Sequence, residues 1–386
     1  MASSITIWPD DQQVVVEEKL FARILTLNRP RKLNSLSYQM ISRLFEVLSA
    51  CEADSNIKLV IVKGKGKAFC AGADVVALVR DINEGNWRLS AQLFRKELTL
   101  IYLLATYCKP QVSILNGIVM GGGAGVSMHG RFRVATENSV FAMPETALGH
   151  FPDVGASYFL SRLSGFFSNG REYLGLTGSR LDGAEMLACG LATHFVPSTR
   201  LCLLEEALCK VDSSDPAIIS GIIDKYSQQP NLKDKSSYLR LNVIDKCFSQ
   251  RTVEQIISSL EREAINKADD WIPATIQTLK KASPTSLKIW LRSIREGRLQ
   301  GIGQCLVREY RMAFSVMQGQ VSKDFVEGCR ALLLDKDKNP KWQPSKLELI
   351  SESMVDRYFS KVDDEEWGEL KLPARSNLPV YAISKL

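Results

Sequence analysis

Two acidic residues, Glu145 and Asp153, lie on one stretch, residues 143–155, that prolines and glycines interrupt. Catalytic side chains are often carried by such loops, because a rigid scaffold fixes the loop while its side chains stay available to a ligand. The stretch therefore is a candidate carrier of acid chemistry. A plainer interpretation stays open at this point, in which Glu145 is a solvated loop residue and Asp153 caps a helix that begins at Ala156.

Two glycine-bearing turns, residues 68–74 and 120–127, could supply backbone N–H groups to the same site. Adjacent glycines at 121–123 allow a ligand to approach the backbone closely. N–H groups at the start of a helix lack partners within it, and the helix dipole favours negative charge there. Such a place suits a phosphate, a carboxylate or a developing oxyanion, and both turns together could form an oxyanion hole. Taken alone, the glycine triplet fits a tightly packed turn equally well.

Motifs for several other chemistries are incomplete or absent. Residues 64–67 lack the spacing of a P-loop, and the sixth position from Gly121 is Val126 rather than the glycine of a dinucleotide fingerprint. The chain has only three histidines, without HExxH, and has no GxSxG elbow. Ser127 and His129 would face different sides of a helix. We therefore expect neither a metal site nor a serine nucleophile.

Composition favours a soluble globular protein of one large or two smaller domains. The chain has 386 residues, of which 45% are hydrophobic and 24% charged. Its net charge of +6 is mild and contains no basic block, so nucleic acid is not a favoured partner, whereas a small polyanion fits. Nine scattered cysteines indicate reduced thiols. No apolar run is long enough to span a membrane.

The two termini carry different targeting information. The N-terminus has neither the basic and apolar segments of a secretory signal nor, with its acidic pair, the character of a transit peptide. The C-terminus is Ser384-Lys385-Leu386, the tripeptide that the peroxisomal import receptor recognises. The sequence therefore predicts a peroxisomal protein, with the cytosol as the alternative.

Hydrophobic periodicity predicts an α/β arrangement up to about residue 200 and helices after it. Alternating residues predict strands at 14–18 and 22–28, and apolar runs predict buried strands at 58–63 and 111–118. Long helices are expected at 38–51, with Ser37 as its cap, and at 87–107. We place a domain boundary near residue 200, between a core of residues 1–200 and a helical region of residues 201–386. Helices are expected in that second region at 201–211, 216–228, 253–268, 271–282, 287–296, 302–318 and 345–359.

The order of motifs resembles the crotonase (enoyl-CoA hydratase/isomerase) superfamily. The matching segments are Asn-Arg-Pro at 28–30, Ala-Phe-Cys-Ala-Gly-Ala-Asp at 68–74, Asn-Gly-Ile-Val-Met-Gly-Gly-Gly at 116–123 and Phe-Ala-Met-Pro-Glu-Thr at 141–146. Residues 121–137 and 144–155, and Gly-Arg-Leu-Gln-Gly at 297–301, further resemble the 3-hydroxyisobutyryl-CoA hydrolase family, most nearly its plant peroxisomal members, and this likeness covers nearly the whole chain. The resemblance implies a spiral core of ββα units and hydrolysis of a short branched hydroxyacyl-CoA in valine breakdown. It implies no cofactor, because coenzyme A is part of the substrate.

The resemblance also implies roles for individual residues. The amides of Ala73 and Gly122 would form the oxyanion hole. Glu145 would attack the thioester or activate water, while Asp153 would position water or protonate the departing thiolate. Glu97 would lie at the substrate pocket. Candidates for contacts with coenzyme A are Arg29, Lys32 and Ala71.

One difference within the superfamily favours hydrolysis. Its hydratases carry a second catalytic glutamate at the position of Gly125, and addition of water to a double bond would lack that acid–base partner here. An enoyl-CoA hydratase or isomerase is one alternative function, and a CoA-binding paralogue without activity is another. Relatives often form trimers, so a homo-oligomer is possible, although the helical half could instead occupy that interface.

Three departures from the hydrolase pattern distinguish this chain. His150 stands where such hydrolases usually have an apolar residue, and it could affect a carboxyl group, shape the acyl pocket or face solvent. Ala73 replaces a more usual glycine but keeps the backbone amide. Residues 168–171 resemble a short surface insertion. These changes suggest that the acyl group could differ from 3-hydroxyisobutyrate.

Overall fold

A computed structural model describes residues 13–163, 170–266, 270–364, 366–376, 378 and 380, and ten strands form the scaffold within these ranges. Residues 168 and 169 of the insertion predicted at 168–171 lie outside the described residues, as does the whole C-terminal tripeptide. The strands are β1 (Val14–Glu18), β2 (Ala22–Leu27), β3 (Leu59–Gly64), β4 (Ala68–Cys70), β5 (Gln111–Leu115), β6 (Ile118–Met120), β7 (Phe132–Ala135), β8 (Val140–Ala142), β9 (Leu181–Asp182) and β10 (His194–Phe195).

The strands pair into two sheets. The larger has the order β1-β2-β3-β5-β7-β10, and the smaller has the order β4-β6-β8-β9. In the smaller sheet, β4 and β6 run parallel, with Ala68 opposite Ile118. Parallel neighbours end at the same edge of a sheet, so the two glycine-bearing turns that follow these strands emerge side by side.

Seven helices accompany the strands in the first half of the chain. They are α1 (Tyr38–Ala53), α2 (Val75–Asn83), α3 (Trp87–Ala105), α4 (Gly122–Met128), α5 (Ala156–Phe159), α6 (Gly170–Thr177) and α7 (Gly183–Cys189). The predicted cap of α1 is confirmed, because the Ser37 hydroxyl accepts a hydrogen bond from the Met40 N–H at 3.1 Å. Helix α3 is buried over most of its length, which places it against the core rather than on the surface.

The second half is helical, as its periodicity predicts. Its helices are α8 (Leu201–Cys209), α9 (Pro216–Asp224), α10 (Leu241–Phe248), α11 (Val253–Asn266), α12 (Trp271–Lys281), α13 (Pro284–Gly297), α14 (Ile302–Gln318), α15 (Asp324–Cys329) and α16 (Glu352–Phe359). Helices α13 and α14 pack onto α5 and α3 within one hydrophobic core that draws on both halves. Helices α8 and α9 cover the other face of the larger sheet. The fold class is confirmed, while the domain boundary stays a prediction.

Several predicted elements differ in detail from those in the structure. The run predicted as one strand at 111–118 is two strands, β5 and β6, because Gly117 adopts a φ of +103° and turns the chain between them. The segment after Lys67 begins as strand β4 rather than as a loop, since it pairs with β6. Helix α4 begins at Gly122, inside the glycine triplet, and neither α10 nor α15 was among the predicted helices.

Two further expectations concern thiols and membranes. All nine cysteines lie among the described residues and carry free thiols, most of them buried. Within the described ranges, we find no helix with both the length and the apolar character that crossing a bilayer would require.

The loop of residues 143–155, which carries Glu145 and Asp153 and is called the acidic loop below, packs against the helical second half of the chain at Gly149. This residue has a φ of +73°, and a Cβ added there would overlap the backbone carbonyl of Asp324. Close by, the Ser283 N–H donates to the Thr146 carbonyl at 3.0 Å. Asp324 is itself held by the Ser283 hydroxyl at 2.6 Å. The loop between the two acids therefore depends on the helical region for its conformation.

We expect Gly149→Ala to lower the free energy of unfolding by roughly 2–4 kcal/mol, because it combines a left-handed backbone with a clash against main chain. Urea denaturation followed by circular dichroism measures this loss. Gly221→Ala is the matched control, since Gly221 lies in α9 with nothing within 4 Å of an added Cβ. That control should gain up to about 1 kcal/mol. Equal stability of Gly149→Ala and the unaltered chain would contradict the tight packing of Gly149 against Asp324.

Candidate functional site

The first half of the site is the backbone around Ala73. Leu36 and Ala73 form a parallel bridge, in which the Leu36 N–H donates to the Gly72 carbonyl at 2.8 Å and the Asp74 N–H donates to the Leu36 carbonyl at 3.0 Å. Alternate residues of an extended chain point their N–H groups to opposite sides. The N–H of Ala73 therefore faces away from Leu36.

The second half is the start of α4, which approaches Ala73 closely. A Cβ added at Gly122 would lie 3.4 Å from the Ala73 nitrogen, and it would overlap Oε1 of Glu97. Gly122 is the first residue of the helix, so its N–H has no partner within the helix. The structure thus brings the two predicted amide carriers together, and a side chain at position 122 would require the carboxyl group of Glu97 to move.

Glu145 lies beside the same turn. It begins a short 3₁₀ helix, Glu145–Leu148, and its side chain is only 7% exposed. A Cβ added at Gly121 would lie 3.0 Å from its Oε1, while its Oε2 is buried without a hydrogen-bond partner. The interpretation of Glu145 as a solvated residue is therefore wrong. Among the described residues, this oxygen therefore has no hydrogen bond that would hold it in another role.

Asp153 is buried as well and does not cap a helix. Helix α5 has Gly155 as its N-cap and no side-chain cap, which contradicts the plainer interpretation of Asp153. The residue is 5% exposed, and its charge raises the pKa of both Glu97 and Glu145. The two acids of the loop and the glutamate of α3 therefore form one electrostatic cluster.

Glu97 projects from α3 into this cluster. It is 1% exposed, and neither of its carboxyl oxygens has a hydrogen-bond partner within the described part of the chain. Burial, followed by the charges of Asp153 and Glu145, raises its pKa well above the ordinary value. Burial and the charge of Asp153 do the same for the pKa of Glu145. Carboxyl groups crowded in this way retain their protons at higher pH than isolated carboxyl groups do.

Glu309 is a residue of the site that sequence reasoning missed. Its carboxylate accepts hydrogen bonds from the N–H of Gly155 at 2.7 Å, from the N–H of Ser157 at 3.2 Å and from the Ser157 hydroxyl at 2.6 Å. Between Asp153 and Gly155, Val154 has a φ of +53°, which is rare for a β-branched residue. Such a conformation persists only where its surroundings enforce it, so Glu309 on α14 fixes the turn that carries Asp153.

The candidates for coenzyme A contacts have different surroundings. Arg29 forms an ion pair with Asp74 at 2.9 Å and donates to the Ser35 carbonyl at 2.6 Å. It thereby braces the turn that carries Ala73, while Lys32 is exposed and Ala71 is half-buried. A contact between any of these residues and coenzyme A stays a prediction.

His150 does not face solvent, because its side chain is buried and only 5% exposed. Its Nε2 lies 3.5 Å from Oδ2 of Asp153. The solvent-facing alternative is therefore wrong, and His150 belongs to the acidic cluster. Among the residues that the structure describes, no group of three or more His, Cys, Asp or Glu side chains is arranged to hold a metal ion.

Comparison with known proteins identifies relatives over nearly the whole chain. The sequence profile of the enoyl-CoA hydratase/isomerase family matches residues 22–359. The chain is 69% identical to 3-hydroxyisobutyryl-CoA hydrolase 1 of Arabidopsis thaliana, over 97% of this chain and 98% of the relative. It is 65% identical to probable 3-hydroxyisobutyryl-CoA hydrolase 3 of the same plant, over 96% and 98% respectively. A carnitinyl-CoA dehydratase from Mycobacterium thermoresistibile aligns with a TM-score of 0.84 and 32% identity, covering 95% of this chain and all of that one.

The raised pKa of Glu97 predicts that the free energy of unfolding depends on pH. Between the ordinary pKa and the raised one, the folded chain holds a proton that the unfolded chain has released. Stability therefore falls as pH rises through this window, by up to about 1.4 kcal/mol per pH unit. Glu97→Gln removes the titrating group, so its melting temperature should exceed that of the unaltered chain increasingly from pH 5 to pH 8. Scanning calorimetry at several pH values measures the difference.

Glu52→Gln is the control of opposite sign. Burial alone would raise the pKa of Glu52, but hydrogen bonds from Arg375 and from the Cys108 N–H hold it below the ordinary value. This variant should lose stability at neutral pH, and the loss should shrink as acid protonates the native carboxylate. A pH-independent difference between Glu97→Gln and the unaltered chain would contradict the electrostatic cluster.

Proposed function

Because the chain belongs to the 3-hydroxyisobutyryl-CoA hydrolase branch of the enoyl-CoA hydratase/isomerase family, we propose that it is an acyl-CoA thioester hydrolase. The reaction converts 3-hydroxyisobutyryl-CoA and water into 3-hydroxyisobutyrate and coenzyme A, a step of valine breakdown. The relatives with 65–69% identity carry the names of this activity. The observation that carries the proposal is the unpartnered, buried carboxyl oxygen of Glu145 beside the glycine turn.

The thioester carbonyl is polarised by two backbone donors in this proposal. The N–H groups of Ala73 and Gly122 receive the oxygen, on which negative charge develops as the carbonyl carbon becomes tetrahedral. Support comes from the short separation between Gly122 and the Ala73 nitrogen and from the direction of the Ala73 N–H. Backbone donors held by strands and a helix need little reorganisation during the reaction.

Glu145 delivers the nucleophile, which is either its own carboxylate oxygen or a water that it deprotonates. The new bond joins oxygen to the carbonyl carbon, and the bond from that carbon to sulfur breaks. Where the attacking oxygen belongs to Glu145, water then hydrolyses the resulting anhydride, which releases the acid and restores the carboxylate. The raised pKa of Glu145 suits a base that works near neutral pH. Asp153 orients the water, or passes a proton released from that water on to the departing sulfur, from the turn that Glu309 holds.

Glu97 completes the acid cluster without being the nucleophile. Its strongly raised pKa keeps it protonated at pH values where an ordinary carboxyl group is ionised. A neutral carboxyl group can donate a hydrogen bond to the substrate and also avoids a third negative charge in the same space. Its position under Gly122 supports contact with the acyl end of the substrate.

Hydration of an enoyl-CoA is the second candidate function, because one of the structural relatives is a carnitinyl-CoA dehydratase. The surroundings of Gly125 count against it. A Cβ added at Gly125 would lie 2.6 Å from the Val154 Cβ and 2.9 Å from Ile101 Cδ1. A glutamate at this position has no room, so the site lacks the second acid of the hydratases.

Peroxisomal import through the terminal tripeptide Ser384-Lys385-Leu386 is part of the proposal. A fluorescent protein fused to the N-terminus of the full chain should collect in peroxisomes of a plant cell. Deletion of Leu386 should leave the same fusion in the cytosol, because the receptor recognises a free C-terminal tripeptide. Peroxisomal accumulation of the truncated fusion would contradict this part of the proposal.

The main test is the release of free thiol from 3-hydroxyisobutyryl-CoA. We expect Glu145→Gln to lower kcat at least about 100-fold, because the amide neither attacks nor accepts a proton. Glu52→Gln, a like change outside the site, should keep near-normal kcat. In the unaltered chain, kcat/KM should rise with pH through a pKa above the ordinary carboxyl value.

Each other outcome assigns a different function. Full activity of Glu145→Gln would remove Glu145 from the chemistry. Loss of enoyl absorbance from an enoyl-CoA without thiol release would identify a hydratase. Tight binding of coenzyme A without turnover across a panel of short acyl-CoAs would identify a CoA-binding paralogue.

A further inference from the structure

His150 is a buried polar side chain that the proposed reaction leaves without a task. It lies on the loop between the two acids, and its side chain is 5% exposed. Neither Nδ1 nor Nε2 has a hydrogen-bond partner among the described residues. A buried polar atom that lacks a partner costs about 1–3 kcal/mol. An imidazole with two such atoms is therefore expected to meet a polar partner from outside the chain.

Aromatic rings surround this imidazole. The ring centroids of Phe94, Phe151 and Phe325 lie 5.4, 4.5 and 5.3 Å from that of His150. These rings come from α3, from the acidic loop and from α15, so three separate elements restrict the orientation of the histidine. They also make the space around it apolar, which strengthens any single hydrogen bond formed there.

The position of His150 relates it to the substrate rather than to the surface. Its Nε2 lies 3.5 Å from Oδ2 of Asp153. Phe94 and Glu97 are three residues apart on α3 and share a face of that helix. The oxygens of Glu97 and Oε2 of Glu145 are buried and unpartnered as well. These unsatisfied atoms belong to one cluster, which contacts the glycine turn through Glu97 and Glu145 and the rings of Phe94, Phe151 and Phe325 through His150.

We infer that His150, in place of the apolar residue usual at this position, forms an additional hydrogen bond with a hydroxyl group on the acyl chain and so strengthens the preference for hydroxyacyl thioesters over their deoxy counterparts. This inference rests on the proposed hydrolase function. A thioester carbonyl bound by the N–H groups of Ala73 and Gly122 brings its acyl group to the buried acids, and the phenylalanine rings around His150 offer apolar contacts to a short branched carbon chain. Among the polar side chains of this cluster, His150 is the one to which the proposed reaction assigns no role. An imidazole nitrogen can accept a hydrogen bond from a hydroxyl group or donate one to it.

A pocket built to bind a hydroxyl group discriminates strongly against a ligand that lacks one, because its own polar atom is then left unpaired. An apolar residue at position 150 would remove this penalty. Selectivity for the hydroxyl, rather than overall activity, is therefore the quantity that identifies the role of His150.

The test compares kcat/KM for 3-hydroxyisobutyryl-CoA and isobutyryl-CoA, which differ only in the hydroxyl group. We expect His150→Leu to lower kcat/KM for the hydroxylated substrate by roughly 10- to 100-fold. The value for isobutyryl-CoA should stay within about 3-fold, because that substrate offers no hydroxyl group to lose. Phe94→Leu, which removes one of the rings around His150 and no polar atom, should change both substrates by a similar factor.

Two results would overturn the inference. An equal loss on both thioesters in His150→Leu would show that the histidine acts through Asp153 or through packing. Unchanged selectivity would show that the hydroxyl group lies elsewhere. If the unaltered chain releases thiol from neither substrate, the hydrolase function fails instead. The dissociation constants of both thioesters for the unaltered chain and His150→Leu then test the selectivity without turnover.

Discussion

The burial of three carboxyl groups close to one another is the constraint on which the rest of this structure depends. Glu97, Glu145 and Asp153 are all buried, and the first two have strongly raised pKa values because burial and their neighbours oppose ionisation. No arginine or lysine neutralises either of these two carboxyl groups among the contacts of the described residues. The cluster therefore opposes folding, and the surrounding elements must hold it together by other interactions.

Those interactions come mainly from the helical half of the chain. Glu309 holds the turn after Asp153, and Asp324 on α15 meets the loop at Gly149. Ser283 at the start of α13 reaches both that loop and Asp324. In the proposed site, the α/β half supplies the backbone donors and the three clustered acids, whereas the helical half fixes the turns that carry Glu145 and Asp153. This division gives the second half a role in the site without placing a reacting group there.

Local features of the site could be predicted from the sequence, and long-range ones could not. Glycine spacing and the order of motifs identified the two turns and the acids, because each depends on residues close in the chain. Glu309 was missed because it acts on Gly155 and Ser157 across about 150 residues, without a motif of its own. The burial of His150 was missed for a related reason, since the ring of Phe325 comes from a distant helix. Periodicity likewise predicted most helices but not the division at Gly117, which one left-handed residue decides.

The crowding at Gly125 connects the stability of the site with its chemistry. Val154 occupies the space beside that glycine only because its backbone adopts the rare left-handed conformation, which Glu309 and a contact from His129 to the Val154 carbonyl maintain. The same turn that buries Asp153 therefore also fills the volume that a second glutamate on α4 would require. Positioning an acid on the loop and excluding one from the helix are consequences of a single backbone conformation. A shift from hydrolysis to hydration would accordingly need this turn to be rebuilt, and not only a change of one residue.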